Sequence, residues 1–289
     1  MTHWTLGFIG GSGLYDIPGL DGEWRRIDSP FGAPSDAVFE GLLHGVRVVF
    51  LPRHGRGHRV PPSAVNFRAN IDVLKRAGVT DVISLSAVGA LREALHPGTF
   101  VVVDQFIDRT FAREKSFFGP GCVAHVSMAH PVCVRLAGLA ADAAQAAGAR
   151  TVRGGTYLVM EGPQFSTLAE SRLYKSWGCD VIGMTNMPEA KLAREAELPY
   201  ASVAMVTDYD CWHEEHAPVE VAAILEVLHA NSVKAKVLIE KLCLAVAGTP
   251  RPPCAIDTAL DGAIITAPDA RDPALLARLD AVAGRVLRG

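Results

Sequence analysis

Asp180-Val-Ile-Gly-Met-Thr-Asn-Met-Pro-Glu-Ala-Lys-Leu-Ala-Arg-Glu195, continuing to Tyr200-Ala-Ser-Val-Ala-Met-Val-Thr-Asp-Tyr-Asp-Cys-Trp212, reads as strand, helix, strand. Residues 181–184 are a short apolar run. Asn186 at the cap, Pro188 inside the first turn and Glu189 after it predict a helix start. Leu192, Ala193 and Ala196 keep one apolar stripe, and Pro199 closes the helix. Residues 200–206 have the apolar character of a strand buried on both faces. Asp208 and Asp210 follow at its carboxyl end. Side chains two apart on a strand share a face, so both carboxylates enter one pocket if the strand reaches Asp210. The carboxyl ends of buried strands are where α/β proteins place ligands.

Outward from this unit, strand-like runs recur at 5–10, 46–51, 81–87, 100–106 and 155–160. Helical patterns lie between several of them. Residues 63–77 follow Pro61-Pro62 and end at Gly78, and 131–147 end at Gly148. Thr167-Leu-Ala-Glu170 matches a capping box opening a helix to Trp177, stopped by Gly178. Residues 218–247 form a long amphipathic stretch of one or two helices. Strands alternating with helices predict an α/β fold, a mixed central β-sheet flanked by helices in a single domain over residues 1–248. Thr249-Pro-Arg-Pro-Pro-Cys254 marks a linker. The extension at 249–289 is too short to fold alone and is expected to pack on the domain or on a neighbouring subunit.

Hydrophobic residues make up 49% of the 289 and charged residues 20%, enough for a substantial core. The balance of 28 basic to 31 acidic residues, a net charge of −3, offers no electrostatic case for nucleic acid or an anionic membrane. No apolar run is long enough to span a bilayer, and the N-terminus lacks the n- and h-regions of a signal peptide. The six cysteines are scattered without a C-x-x-C, which disfavours zinc and a disulfide framework; reduced thiols in a cytoplasmic protein are expected.

Several segments carry chemistry. Gly10-Gly-Ser-Gly-Leu-Tyr-Asp16 follows the first strand with backbone N–H groups and the Ser12 hydroxyl free to approach an anion. The spacing is not G-x-G-x-x-G and Pro18-Gly19 blocks an immediate helix, so a dinucleotide fits worse than phosphate; an ordinary Gly-rich turn fits as well. Arg53-His-Gly-Arg-Gly-His58 comes straight after the second strand, where Arg53 and His54 offer donors to phosphate oxygens; a solvated basic loop is the other reading, and the position at a strand end favours the anion site. His54 and His58 lack a third ligand nearby, so no metal is expected. Ser84-Leu-Ser-Ala-Val-Gly-Ala-Leu91 ends the third strand with Ser86 and small residues suited to close ligand contact, though a plain strand-to-turn transition accounts for it nearly as well. Phe165, in Glu161-Gly-Pro-Gln-Phe-Ser-Thr167, stacks on a flat heterocycle or fills core. His213-Glu-Glu-His216 reads as an exposed loop or a mobile lid.

These pieces in this order resemble the purine nucleoside phosphorylase / methylthioadenosine phosphorylase family, in its trimeric branch. The matching motifs are Gly10–Asp16, Arg53-His54-Gly55, Pro62-Ser-Ala-Val-Asn-Phe-Arg-Ala-Asn70, Asp104-Gln-Phe-Ile-Asp-Arg-Thr110, Glu161-Gly-Pro-Gln-Phe165, Gly183-Met-Thr185 and Asp208-Tyr-Asp-Cys-Trp212. The resemblance implies phosphorolysis, in which inorganic phosphate, a co-substrate and not a cofactor, displaces a purine from C1′ of a 5′-modified ribose. It implies that Ser12, Arg53, His54, Ser86, Ala87 and Thr185 hold phosphate. Met184 would lie along the ribose, Phe165 and Ser166 would line the base site, and Asp208 and Asp210 would grip the base edge. His125, in Ala124-His-Val-Ser-Met128, resembles the histidine that a neighbouring subunit of a homotrimer lends to the 5′ pocket, and Val221 falls beside the methylthio group. Gln164 and Leu168 depart from the pattern, standing where several relatives carry arginine; Ser12 and Ser86 replace threonines and keep the hydroxyls.

The residue chemistry agrees. Glycosidic cleavage builds positive charge on the sugar and negative charge on the purine, and a buried carboxylic acid beside a like charge can protonate N7. Two carboxylates also suit adenine, whose protonated N7 and 6-amino group both donate. A 6-oxo group would turn a lone pair toward a carboxylate, a buried clash of up to several kcal/mol. The expectation is therefore methylthioadenosine phosphorylase activity in purine and methionine salvage. A 6-oxopurine or general purine nucleoside phosphorylase is the alternative, a hydrolytic nucleosidase or a catalytically dead binding module the remoter ones.

Overall fold

The computed structural model describes residues 3–11, 13–14, 16–213 and 221–287, the side chains of 221–224 excepted. Among them eleven strands form one mixed sheet. In chain order these are β1 (Thr5–Gly10), β2 (Asp21–Arg25), β3 (Val38–Leu43), β4 (Val46–Pro52), β5 (Asp81–Ala90), β6 (Thr99–Val103), β7 (Gln105–Asp108), β8 (Arg150–Arg153), β9 (Thr156–Val159), β10 (Val181–Gly183) and β11 (Tyr200–Asp208). The helices are α1 (Phe67–Arg76), α2 (Val134–Ala146), α3 (Leu168–Ser176), α4 (Asn186–Glu195), α5 (Val221–Val246), α6 (Pro273–Arg278) and α7 (Gly284–Leu287).

The strand alternation read from sequence sorts side chains onto two faces. On β11, Tyr200, Ala204 and Val206 join the core under α1 and α4, while Ala201, Val203 and Met205 join the core under α2 and α5. Helices thus cover both faces, as the continuous apolar strands require. Residues 249–287 pack on this frame. Arg251 pairs with Asp81 and Asp257, Arg285 pairs with Glu197, and Leu279, Val282 and Ala283 complete the core under α1.

Four local expectations need correction. The run at 100–106 breaks at Asp104, whose Oδ1 accepts the Gly155 N–H, giving β6 and β7. The strands β2, β3 and β8 carry too little apolar pattern to be read, because β2 and β8 have no buried residue and β3 is buried only at its two ends. Asn186 does not cap α4: Thr185 holds that position, and Met187 is extended (φ −119°, ψ 133°) before a cis Met187–Pro188 peptide. The Asn186 side chain instead turns into the core. Finally, β11 stops at Asp208; Asp210 sits in a left-handed turn (φ 53°), a conformation aspartate tolerates better than most residues.

Candidate active site

The sheet has a gap built into it. On one edge of β5, β11 pairs in parallel from Val82 to Gly89. On the other edge, β1 pairs only with Asp81–Ser84, and β10 pairs antiparallel with Gly89 and Ala90. Among the described residues, the edge from Leu85 to Val88 has no strand neighbour between them. A cavity of about 510 Å³ opens there, at the switch point where α/β sheets bind ligands.

Most of the residues singled out from sequence line this cavity: Arg53 and His54 after β4, Ser86 and Ala87 on β5, Met184 and Thr185 after β10, Phe165 before α3, and Asp208 and Asp210 at the end of β11. Ser166 stands just behind, its hydroxyl reaching Asp210 and, at 3.7 Å, the Met160 sulfur. Ser12 and the side chain of Val221 lie outside the described residues, as do Glu214, Glu215 and His216 of the expected lid. His125 is not at this cavity. It is exposed beside the C-terminal segment, where its N–H donates to the Ala263 carbonyl.

The two acids converge by a different route from the one the pleat suggests. The register shifts between Val206 and Asp208, and the left-handed turn at Asp210 brings its N–H to Asp208 Oδ1 at 2.7 Å. Thr207 Oγ1 donates to Asp208 Oδ2 at 2.7 Å, and Ser171 Oγ donates to Asp210 Oδ2 at 2.5 Å. Gly89 lies opposite Asp208, and a side chain there would meet Asp208 Oδ1 at 3.0 Å. Burial pushes both carboxyls above the usual range. The Thr207 and Asp210 donors oppose this at Asp208. At Asp210 the Ser171 donor opposes it and the Asp208 charge adds to it.

Three residues upstream on β5, Ser86 marks the other end of the site, about 10 Å away along the strand at ~3.3 Å per residue. Arg53 reaches it from below but is largely committed. It is 1% exposed and faces Glu189, also 1% exposed, with Nε 2.9 Å from Glu189 Oε2. Its Nη2 donates to Ser84 Oγ (2.5 Å) and its Nη1 to the Leu85 carbonyl (3.1 Å), so one Nη1 hydrogen remains for a ligand. His54 also departs from the expected donor role. Its Nδ1 lies 2.9 Å from the Val60 carbonyl, which can only accept, so the proton sits on Nδ1. Burial and then the Arg53 charge lower the imidazole to about 4, so the neutral ring offers Nε2 as an acceptor.

Behind this end runs a polar network that sequence reading missed. Asn186 Oδ1 accepts from Ser86 Oγ (3.1 Å) and Thr185 Oγ1 (3.3 Å), while its Nδ2, with two hydrogens to give, lies within hydrogen-bond reach of the Ser84, Ser202 and Tyr200 hydroxyls. Tyr200 in turn donates to Glu189 Oε1 at 2.8 Å. One signal was available: Ser84 and Ser202 interrupt two apolar strands and sit side by side in the register. Gly183 belongs here too, since a Cβ would fall 2.1 Å from the Tyr157 hydroxyl that approaches Thr185.

A family model described as the Phosphorylase superfamily matches residues 5–243. An S-methyl-5′-thioadenosine phosphorylase of Cereibacter sphaeroides is 63% identical over 98% of this chain and 99% of its own. One from Bradyrhizobium diazoefficiens is 62% identical over the whole of both chains. Among solved structures, a methylthioadenosine phosphorylase from an antarctic soil metagenomic library superposes with a TM-score of 0.91 at 44% identity, covering 97% of this chain and 99% of that one. A mutant Adenosine/Methylthioadenosine Phosphorylase from Schistosoma mansoni, in complex with Methylthioadenosine, gives 0.79 at 37% identity over 85% and 92%. The chain belongs to the phosphorylase superfamily, in the family of the purine nucleoside and methylthioadenosine phosphorylases.

Proposed function

We propose that this chain is a methylthioadenosine phosphorylase, a pentosyltransferase converting S-methyl-5′-thioadenosine and phosphate to adenine and 5-methylthioribose 1-phosphate. The observation that carries the reading is one cavity with two carboxylates, buried Asp210 and half-buried Asp208, at one end and Arg53, His54, Ser86 and Thr185 at the other. The spacing of about 10 Å along β5 suits a nucleoside laid between them. A phosphate oxygen attacks C1′ as the C1′–N9 bond breaks, and the bonding electrons leave with the purine. The proton for N7 comes from Asp208, whose burial favours the acid form before the base departs.

Phosphate is held by the Ser86 and Thr185 hydroxyls, which turn their hydrogens from Asn186 Oδ1 to the anion, with the Ala87 backbone, the Ser12 loop and the remaining Arg53 hydrogen, while neutral His54 accepts the O–H of hydrogen phosphate. Met184 lies along the ribose, and Phe165 and Ser166 border the base. No cofactor or metal enters; phosphate is the co-substrate. The enzyme works in the cytoplasm as a homotrimer in which His125 of one subunit closes the 5′ pocket of the next beside Val221. The exposed Val123 and Ile265 that flank His125, at 39% and 63%, support a covered face there.

Adenine release from methylthioadenosine, measured with and without phosphate and beside inosine, tests the reading. Turnover that requires phosphate and favours methylthioadenosine is expected. Turnover that persists without phosphate makes the enzyme a hydrolytic nucleosidase, and preference for inosine makes it a 6-oxopurine phosphorylase.

A further inference from the structure

Ser171 was not anticipated as a site residue. It is 0% exposed, in the first turns of α3, and its backbone N–H is already given to the Thr167 carbonyl. Its single hydroxyl hydrogen goes to Asp210 Oδ2 at 2.5 Å. The helix frame fixes this hydroxyl. Both halves of the capping box are present: Thr167 Oγ1 takes the Glu170 N–H at 3.2 Å, and Glu170 Oε2 takes the Thr167 N–H at 2.8 Å. The other partners of Asp210, the Ser166 hydroxyl and the Cys211 N–H, are donors as well. Asp208 is surrounded differently, by the Thr207 hydroxyl and the Asp210 N–H.

We propose that Ser171 is a specificity-determining residue, whose hydroxyl commits Asp210 to accepting hydrogen bonds and so makes the site choose a 6-amino over a 6-oxo purine. The proposal rests on the cavity being a purine site. Donors on an aspartate favour its ionised, accepting form, and the three around Asp210 leave one of its roughly four acceptor sites for a ligand. It therefore matches the 6-amino group and repels the lone pairs of a 6-oxo oxygen. Burial and the Asp208 charge push Asp210 the other way, toward a neutral carboxyl that could donate to that oxygen. The buried Ser171 hydroxyl, 2.5 Å from Asp210 Oδ2, opposes them.

Ser171→Ala removes one oxygen from a helix and swaps in a better helix former, so the fold is kept. Binding of adenine and of hypoxanthine is measured by calorimetry, alongside kcat/KM for methylthioadenosine and its 6-oxo counterpart. The variant should lose about tenfold in adenine affinity, narrow the adenine preference by about tenfold in both assays, and leave the phosphate KM within about twofold. Asp210→Asn should move the preference further in the same direction, because an amide can donate to the 6-oxo oxygen. Equal loss for both bases in Ser171→Ala, or an unchanged preference in either variant, overturns the proposal. A wild-type protein that binds adenine but cleaves no nucleoside sinks the phosphorolysis reading, while the binding ratio still decides the role of Ser171.

Discussion

Arg53 and Asp208 show how burial decides what a residue is for. The sequence presents Arg53 as a fork of donors for phosphate oxygens, whose removal would chiefly raise the phosphate KM. Paired with Glu189 at 2.9 Å and buried with it, it also holds the floor of the site together. Arg53→Ala leaves Glu189 as an uncompensated buried charge, so the expected loss is about 3–5 kcal/mol of stability, read by urea denaturation. A variant as stable as wild type with only the phosphate KM raised would show that the pair is not structural. Asp208→Asn keeps the shape and removes the proton donor. Adenine release should fall about 10²–10⁴-fold with the phosphate KM little changed. Equal loss of turnover and of phosphate binding would refute the acid assignment.

The elements place these residues more sharply than their own patterns suggest. The open edge of β5 exists because β1 and β10 pair with it at different heights, and the cavity fills the space between. Helix α4 begins irregularly because Asn186 is drawn inward to the Ser84, Ser202 and Tyr200 side chains and its backbone cannot start a regular turn there. Helix α3 starts regularly, and its capping box holds Ser171 against Asp210. Thr167→Ala should cost about 1 kcal/mol of stability and weaken adenine binding with it. Unchanged adenine affinity in that variant would mean that α3 positions Ser171 without its cap.

For the whole molecule, two buried groups pull stability in opposite directions with pH. Glu195, at the end of α4, accepts from Ser116 Oγ and the Phe117 N–H, both at 2.7 Å. Burial pushes its carboxyl from the usual 4.5 up to about 7. The folded protein then binds the extra proton between those values. That contribution is complete below about 4.5 and is lost as pH rises through about 7. His54 behaves oppositely: with its imidazole lowered from 6.5 to about 4, the unfolded chain binds the extra proton, and stability is lost as pH falls through that window. Glu195→Gln should therefore raise stability over wild type at pH ~8 by on the order of 1–3 kcal/mol and do little at pH ~5. Identical urea midpoints for the two proteins at both pH values would contradict the assignment.

The sequence by itself determined the layers and the cast. Apolar strands spaced by Gly- and Pro-bounded helices specify an α/β sheet, and the ordered motifs bring Arg53, His54, Thr185, Asp208 and Asp210 to strand ends, where they meet Ser86 of β5 in one cavity. Local periodicity carries that much because it records which face of each element avoids water. Only the tertiary structure decided the roles of partners far apart in the chain. Glu189 answers Arg53 across 136 positions, Asn186 ties Ser86 to Tyr200, and Ser171 meets Asp210. A buried polar group is stable only beside its partner, and which partner that is depends on how the strands register. The turn at Asp210 is of the same kind. The alternation of a strand predicted two acids on one face, but a register shift and a left-handed residue deliver them.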